Sequence, residues 1–120
     1  MKVLTIKQPY AALIINEYKK YEFRTWKTNY RGNILIHAGL SKDKVINDYS
    51  LEYVYGAIIG EAEIYDCKLI DEKFKEELLK ENSLVYKNVK IGEYAFCLKN
   101  IKKYENTITI KGQLGLWNYK

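Results

Sequence analysis

The sequence predicts a small, mostly β domain of the α+β class, a barrel of about five to six strands with a few short helices. Three observations predict it. Short apolar or alternating runs rich in Val, Ile and Tyr recur along the chain and read as strands. Helical periodicity is confined to brief stretches between them. A chain of 120 residues has room for one hydrophobic core and no second, so residues 1–120 are expected to form a single domain.

Residues 2–6 (Lys-Val-Leu-Thr-Ile) alternate as a strand. Gln8-Pro9-Tyr10 then opens a short helix through Asn16, with the only proline in its first turn. Leu13, Ile14 and Ile15 make that helix apolar nearly all round, which predicts burial. Lys19 to Trp26 reads as an extended segment whose even positions, Glu22, Arg24 and Trp26, share one side, with Tyr21 and Phe23 on the other. Asn33 to Ala38 is a nearly continuous apolar strand, hence central. Residues 41–55 read as weakly helical, with Ser41 as N-cap. Gly56 to Leu69 is the longest strand pattern, with Ile58, Ala62 and Ile64 expected inward and Ile59, Glu61, Glu63 and Tyr65 outward. Asp71 begins an amphipathic helix with a solvated charged face. Two strands follow, Tyr94 to Lys102 and Thr107 to Lys111, joined by a polar turn at Glu105-Asn106, and a Gly-punctuated turn through Trp117 ends the pattern.

A hydrophobic fraction of 48% and a charged fraction of 29% exclude a disordered chain. No apolar run is long enough for a membrane span, and the N-terminus has no signal-peptide character, so a cytoplasmic domain with no membrane partner is expected. Cys67 and Cys97 are expected as reduced core thiols. The net charge of +5 lies wholly in residues 1–40, where seven Lys and Arg face two Glu. A basic excess so localised is the footprint of a polyanion partner, most commonly a nucleic acid. The chain prefers Lys to Arg by 18 to 2, and its two arginines, Arg24 and Arg31, fall within eight positions. Arginine matters where a planar fork must meet a phosphate, carboxylate or base edge.

The inventory of reactive groups excludes several chemistries. One histidine and two distant cysteines assemble no zinc or iron–sulfur site, so no metal or cofactor is expected. The glycines give no phosphate-binding loop or dinucleotide fingerprint. A triad would need His37, which sits in an apolar strand and reads as a core or groove-lining residue.

The run Leu4-Thr-Ile-Lys-Gln-Pro-Tyr10, then Lys19-Lys-Tyr-Glu22-Phe-Arg24-Thr-Trp26, then Tyr30-Arg31-Gly-Asn-Ile-Leu-Ile-His37-Ala38 closely resembles the ASCH (activating-signal-cointegrator homology) domain, of the PUA-like superfamily of small β-barrels. The family's Gly-x-Lys-x-x-Glu-x-Arg signature is matched at Lys19, Glu22 and Arg24, with Glu17 in place of the glycine. The resemblance resumes at Gly56-Ala-Ile-Ile-Gly60 and Gly92-Glu-Tyr-Ala-Phe96, and closes at Lys111-Gly-Gln-Leu-Gly-Leu-Trp117. It covers nearly the whole chain, leaving residues 41–55 and 68–90 variable. The resemblance implies a PUA-like barrel with a cleft lined by the Lys-x-x-Glu-x-Arg segment and approached by the C-terminal Gly-rich turn. It implies RNA or a modified nucleotide as partner.

On the residues, Lys19, Lys20, Arg24, Lys27 and Arg31 would meet phosphates, and Trp26, Tyr30 and Trp117 would stack on an unpaired base. Glu22 would accept from a base amino group or hold Arg24 in place. Gln8, Tyr10 and Lys111 complete the expected nucleic-acid site. The alternative implied by the resemblance is a small hydrolase. One branch of the family cleaves the amide of N4-acylated cytidines with a Lys, a Thr and a Glu, and another is a ribonuclease. Lys19 matches the first of these roles and Glu61, or equally Glu63, would supply an acid/base, but Glu22 stands where that branch has Thr. A carboxylate beside Lys19 favours the charged ammonium and removes the attacking hydroxyl.

Overall fold

The computed structural model describes residues 1–43 and 49–119. Among them are six strands and two helices: β1 (Lys2–Gln8), α1 (Tyr10–Ile15), β2 (Tyr21–Arg24), β3 (Gly32–Lys42), β4 (Ala57–Leu69), α2 (Glu72–Asn82), β5 (Tyr94–Thr109) and β6 (Leu116–Asn118). The α+β class and the strand number are those expected. All six strands belong to one sheet in the order β2-β5-β4-β3-β1-β6, with β1 parallel to β3 and the other pairs antiparallel. The sheet does not close into a barrel, because β2 and β6 are its two edges and do not pair with each other.

Alternation puts residues on two faces of the sheet. Leu4, Ile6, Ile34, Ile36, Ala62, Ile64, Phe96 and Leu98 enter the main core with the wholly buried α1. Val3, Leu35, Ile58 and Trp117 form a smaller cluster. Ile58 and Ile59 therefore depart from the expected parity, since Ile59 packs in the main core and Ile58 in the second cluster. A bulge against β3 causes this: the adjacent Ile36 and His37 stand opposite Gly60 and Ile58, so Ile59 is one extra residue on β4, which reverses the side to which the following side chains point. Glu105 and Asn106 make no turn between two strands. They lie in a bulge of the continuous β5, whose pairing jumps from Ile108 opposite Ile58 to Lys103 opposite Gly60.

Ser41 is not a helix N-cap but belongs with Lys42 to β3, and residues 49–55 contain no helix. The rest of that expected helix, residues 44–48, lies outside the described residues. Asp71 does cap α2, its Oδ1 accepting from the Phe74 N–H at 2.8 Å. Where the family signature has glycine, Glu17 itself takes the left-handed conformation (φ 66), closing α1 by N–H bonds from Glu17 to the Ile14 carbonyl and from Tyr18 and Lys19 to the Leu13 carbonyl. Asn16 helps by donating its side-chain amide to the Ala12 carbonyl at 2.8 Å.

Candidate functional site

The outer edge of β1 is shared. Its first residues pair with β6 (Lys2, Val3 and Leu4 opposite Asn118, Trp117 and Leu116). From Thr5 onward its neighbour is the β2 segment, and a cleft of about 480 Å3 opens there. One wall is Glu22 to Trp26, the other is the ends of β1 and β3 (Thr5, Lys7, Gly39, Leu40, Ser41), and Tyr10, Asn88 and Glu93 complete it.

Arg24 spans the gap. Its Nη2 donates to the Thr5 carbonyl at 2.6 Å, and its Nε and Nη2 reach Glu22 Oε2 at 3.1 and 3.0 Å. The guanidinium thus ties β2 to β1 by a side chain where the backbones do not pair. Glu22 is 7% exposed and lines the cleft, and its Oε1 has no hydrogen-bond partner among the described residues, so a carboxylate acceptor held by Arg24 is available there. Arg24 Nη1 likewise has no partner among the described residues. Trp26, half-buried, stands edge-to-face on Phe96 (centroids 5.1 Å apart, 80°). Lys7 is exposed and lies 3.8 Å from Asp43. Tyr10 donates its hydroxyl to Asp43 at 2.8 Å, and burial first, then that bond, push its phenol well above the usual range.

Lys19 is not a cleft residue. It is fully buried, and its Nζ has no hydrogen-bond partner. Instead the ammonium lies 4.0 Å from the Phe23 ring centroid, 5.1 Å from that of Tyr86 and 5.2 Å from that of Tyr10. Desolvation lowers its pKa to about 8, against a smaller upward pull from Glu22. Tyr10 and Phe23 separate it from the ligand space, since both line the cleft.

The remaining expected residues stand elsewhere. Gln8 is spent on structure, its Oε1 accepting from the Ala12 N–H and its Nε2 donating to the Val54 carbonyl, both at 2.9 Å. Tyr30 donates to the Asn33 carbonyl at 2.7 Å, and Arg31 to the Thr28 and Tyr30 carbonyls with a 3.7 Å contact to Asp66. Trp117 fills the second cluster and donates its indole N–H to Thr5 Oγ1 at 3.0 Å. Lys111 lines a neighbouring groove. Glu61 sits on β4 opposite Leu35 and Lys102, outside the cleft lining. Asn88, which the sequence did not single out, enters the cleft wall with its Oδ1 buried and unpaired. It ends the run of turns that follows α2, where asparagine is ordinarily a turn residue. Among the described residues no three His, Cys, Asp or Glu side chains stand where they could hold a metal ion. Cys67 and Cys97 are free thiols, and burial pushes Cys97 up to about 11. No helix among the described residues is long and apolar enough to cross a membrane.

An open six-stranded sheet with a side-chain-bridged seam, a carboxylate acceptor and an aromatic wall defines a small α+β domain with a cleft at that seam. The ASCH domain family model matches residues 4–111, and the chain belongs to that family. ASCH domains are usually RNA-binding domains or small hydrolases, and the family is associated with nucleic-acid binding. Among curated proteins the chain is similar to human activating signal cointegrator 1, 25% identical across 95% of this chain. It spans only 21% of that protein's length. In structure it is similar to the ASCH protein of Zymomonas mobilis (TM-score 0.56, 15% identity, 90% of this chain and 72% of that one). It is likewise similar to that protein's S128A mutant (TM-score 0.57, 16% identity, 91% of this chain and 73% of that one).

Proposed function

We propose that the cleft binds a nucleotide of single-stranded RNA, with the base against Trp26 and Glu22 and the phosphates toward Lys7 and the free Nη1 of Arg24. The observation that carries this reading is the Glu22–Arg24 pair. It holds a carboxylate acceptor rigidly in a cleft of about 480 Å3, which is the size and chemistry needed to receive a base amino group. The carboxylate costs little reorganisation because Arg24 already orients it. A localised basic excess in residues 1–40 supplies the sequence-independent attraction to phosphate.

A second reading, amide or phosphodiester hydrolysis, is favoured by one feature: the unpaired Lys19 amine, whose pKa near 8 would leave a fraction neutral and nucleophilic. Its burial behind Tyr10 and Phe23 and the placement of Glu61 outside the cleft weigh against it.

Titration of short cytidine- and uridine-containing RNA at two salt concentrations tests both. Binding is expected to weaken with salt, and Glu22→Gln to weaken cytidine binding by roughly 1–3 kcal/mol. Equal affinity of wild type and Glu22→Gln for every base would remove the carboxylate from recognition. Turnover of N4-acetylcytidine or cleavage of the RNA in the same samples would favour the hydrolase.

A further inference from the structure

We propose that an apolar groove beside the cleft is a second nucleotide subsite, taking the base next to the one held at Glu22; this rests on the nucleic-acid reading of the cleft. The groove has a volume of about 550 Å3 and meets the cleft along Thr5, Gly39 and Leu40, which line both. None of its lining comes from the Lys19–Trp26 segment; its far wall is the stretch from Thr109 to Leu114.

Leu40 and Leu114, both lining the groove, are 81% and 98% exposed, the two most exposed large hydrophobic side chains among the described residues. Leucines that stand in water beside one hollow are available to clasp a flat apolar body. The hollow stays open because glycines line it. A Cβ on Gly112 would lie 2.8 Å from His37 Cε1, and one on Gly39 would lie 3.1 Å from Thr5 Cγ2.

One polar group decides the occupant. His37 is 1% exposed, and its Nε2 lies 2.7 Å from the Ile110 carbonyl. A carbonyl only accepts, so Nε2 carries a proton and donates to it, which leaves Nδ1 as the ring's second polar atom. That Nδ1 is buried without a partner among the described residues, and a Cβ on Gly112 in the groove wall would lie 3.0 Å from it. A base offers what the groove lacks, an apolar face with ring or amino N–H donors at its edge. An aliphatic side chain from a protein partner would leave Nδ1 unpaired. The groove's one charged lining residue is Lys111, with no acidic side chain beside it in the lining, and the exposed Lys7 stands in the adjoining cleft, so both hollows offer a cation to a phosphodiester backbone.

The test compares cytidine monophosphate with the dinucleotides CpU and UpC, on wild type and on Leu114→Ser. Leu114 lines the groove and not the cleft, and its exposure leaves the fold undisturbed. The better dinucleotide is expected to bind roughly tenfold tighter than the monophosphate, from the contact of one added base. Leu114→Ser should abolish most of that gain with monophosphate affinity unchanged. A gain that survives in Leu114→Ser, or no gain at all, overturns the second subsite and leaves the cleft reading intact. Failure of wild type to bind any of the three overturns both.

Discussion

The two halves of the outer edge of β1 use different bonds and do different work. From Lys2 to Leu4 the edge is closed by backbone pairing with β6, reinforced by the Met1 amino group and the Trp117 indole. From Thr5 onward it is bridged by the side chain of Arg24. Backbone pairing brings strands to about 5 Å and leaves no space between them. A guanidinium reaches farther than a ladder bond, so the bridged half keeps a cleft and lines it with polar groups. Opening the sheet at one seam gives so small a domain a cleft without hollowing its core.

That contrast can be broken in graded steps. Trp117→Ala strikes the paired half. It removes a buried indole and should cost about 3–5 kcal/mol in urea unfolding, with nucleotide affinity of the folded fraction unchanged. Lys19→Met probes the caged ammonium behind the bridged half. The folded chain holds the proton with a pKa of about 8 against 10.5 for a free lysine, so the unfolded chain binds it more tightly. Burying the charge then costs about 3 kcal/mol below the folded pKa, a cost that fades as pH rises toward the unfolded value. The variant should be more stable than wild type at neutral pH, and the difference should shrink above pH 8. A difference constant with pH would mean that Lys19 bears no such cost.

Arg24→Ala strikes the bridge itself, leaving the Glu22 carboxylate and the Thr5 carbonyl without their partner. It should lower stability by about 2–3 kcal/mol and, unlike Trp117→Ala, abolish nucleotide binding. Loss of binding in both variants would erase the distinction between the two halves. The smallest effect is at Glu17, whose φ of 66 is costly for a side-chain-bearing residue. Glu17→Gly should raise the unfolding free energy measured in urea by up to about 1 kcal/mol after the extra freedom of glycine in the unfolded chain is deducted.

Much of this was legible in the sequence. The wholly apolar stripe Leu13-Ile14-Ile15 announced a buried helix, and α1 is buried at every position. Glu22, Arg24 and Trp26, which parity placed on one side, line the cleft, but Phe23 and Thr25 between them line it too, so alternation alone did not separate the faces of this segment. Departures came where a local pattern is compatible with two tertiary outcomes. Glu105-Asn106 carries the polar character of a turn, but a strand can absorb such residues as a bulge when its partner runs on beside it. Arg31 shares residue type and neighbourhood with Arg24, yet it bonds to its own loop and to Asp66.

The sequence by itself determined the class of the fold, the family signature at Lys19, Glu22 and Arg24, and the basic excess of the first third. Periodicity and composition act over a few residues, so they can be read without coordinates. Only the tertiary structure decided which cation is sealed in an aromatic cage and which bridges the sheet, and that Asn88 joins the wall. Those assignments depend on partners 19 residues apart for Arg24 and Thr5, 46 for Gln8 and Val54, and 112 for Trp117 and Thr5. Contacts at such separations are set by how the strands are ordered in the sheet, and no local pattern records that order.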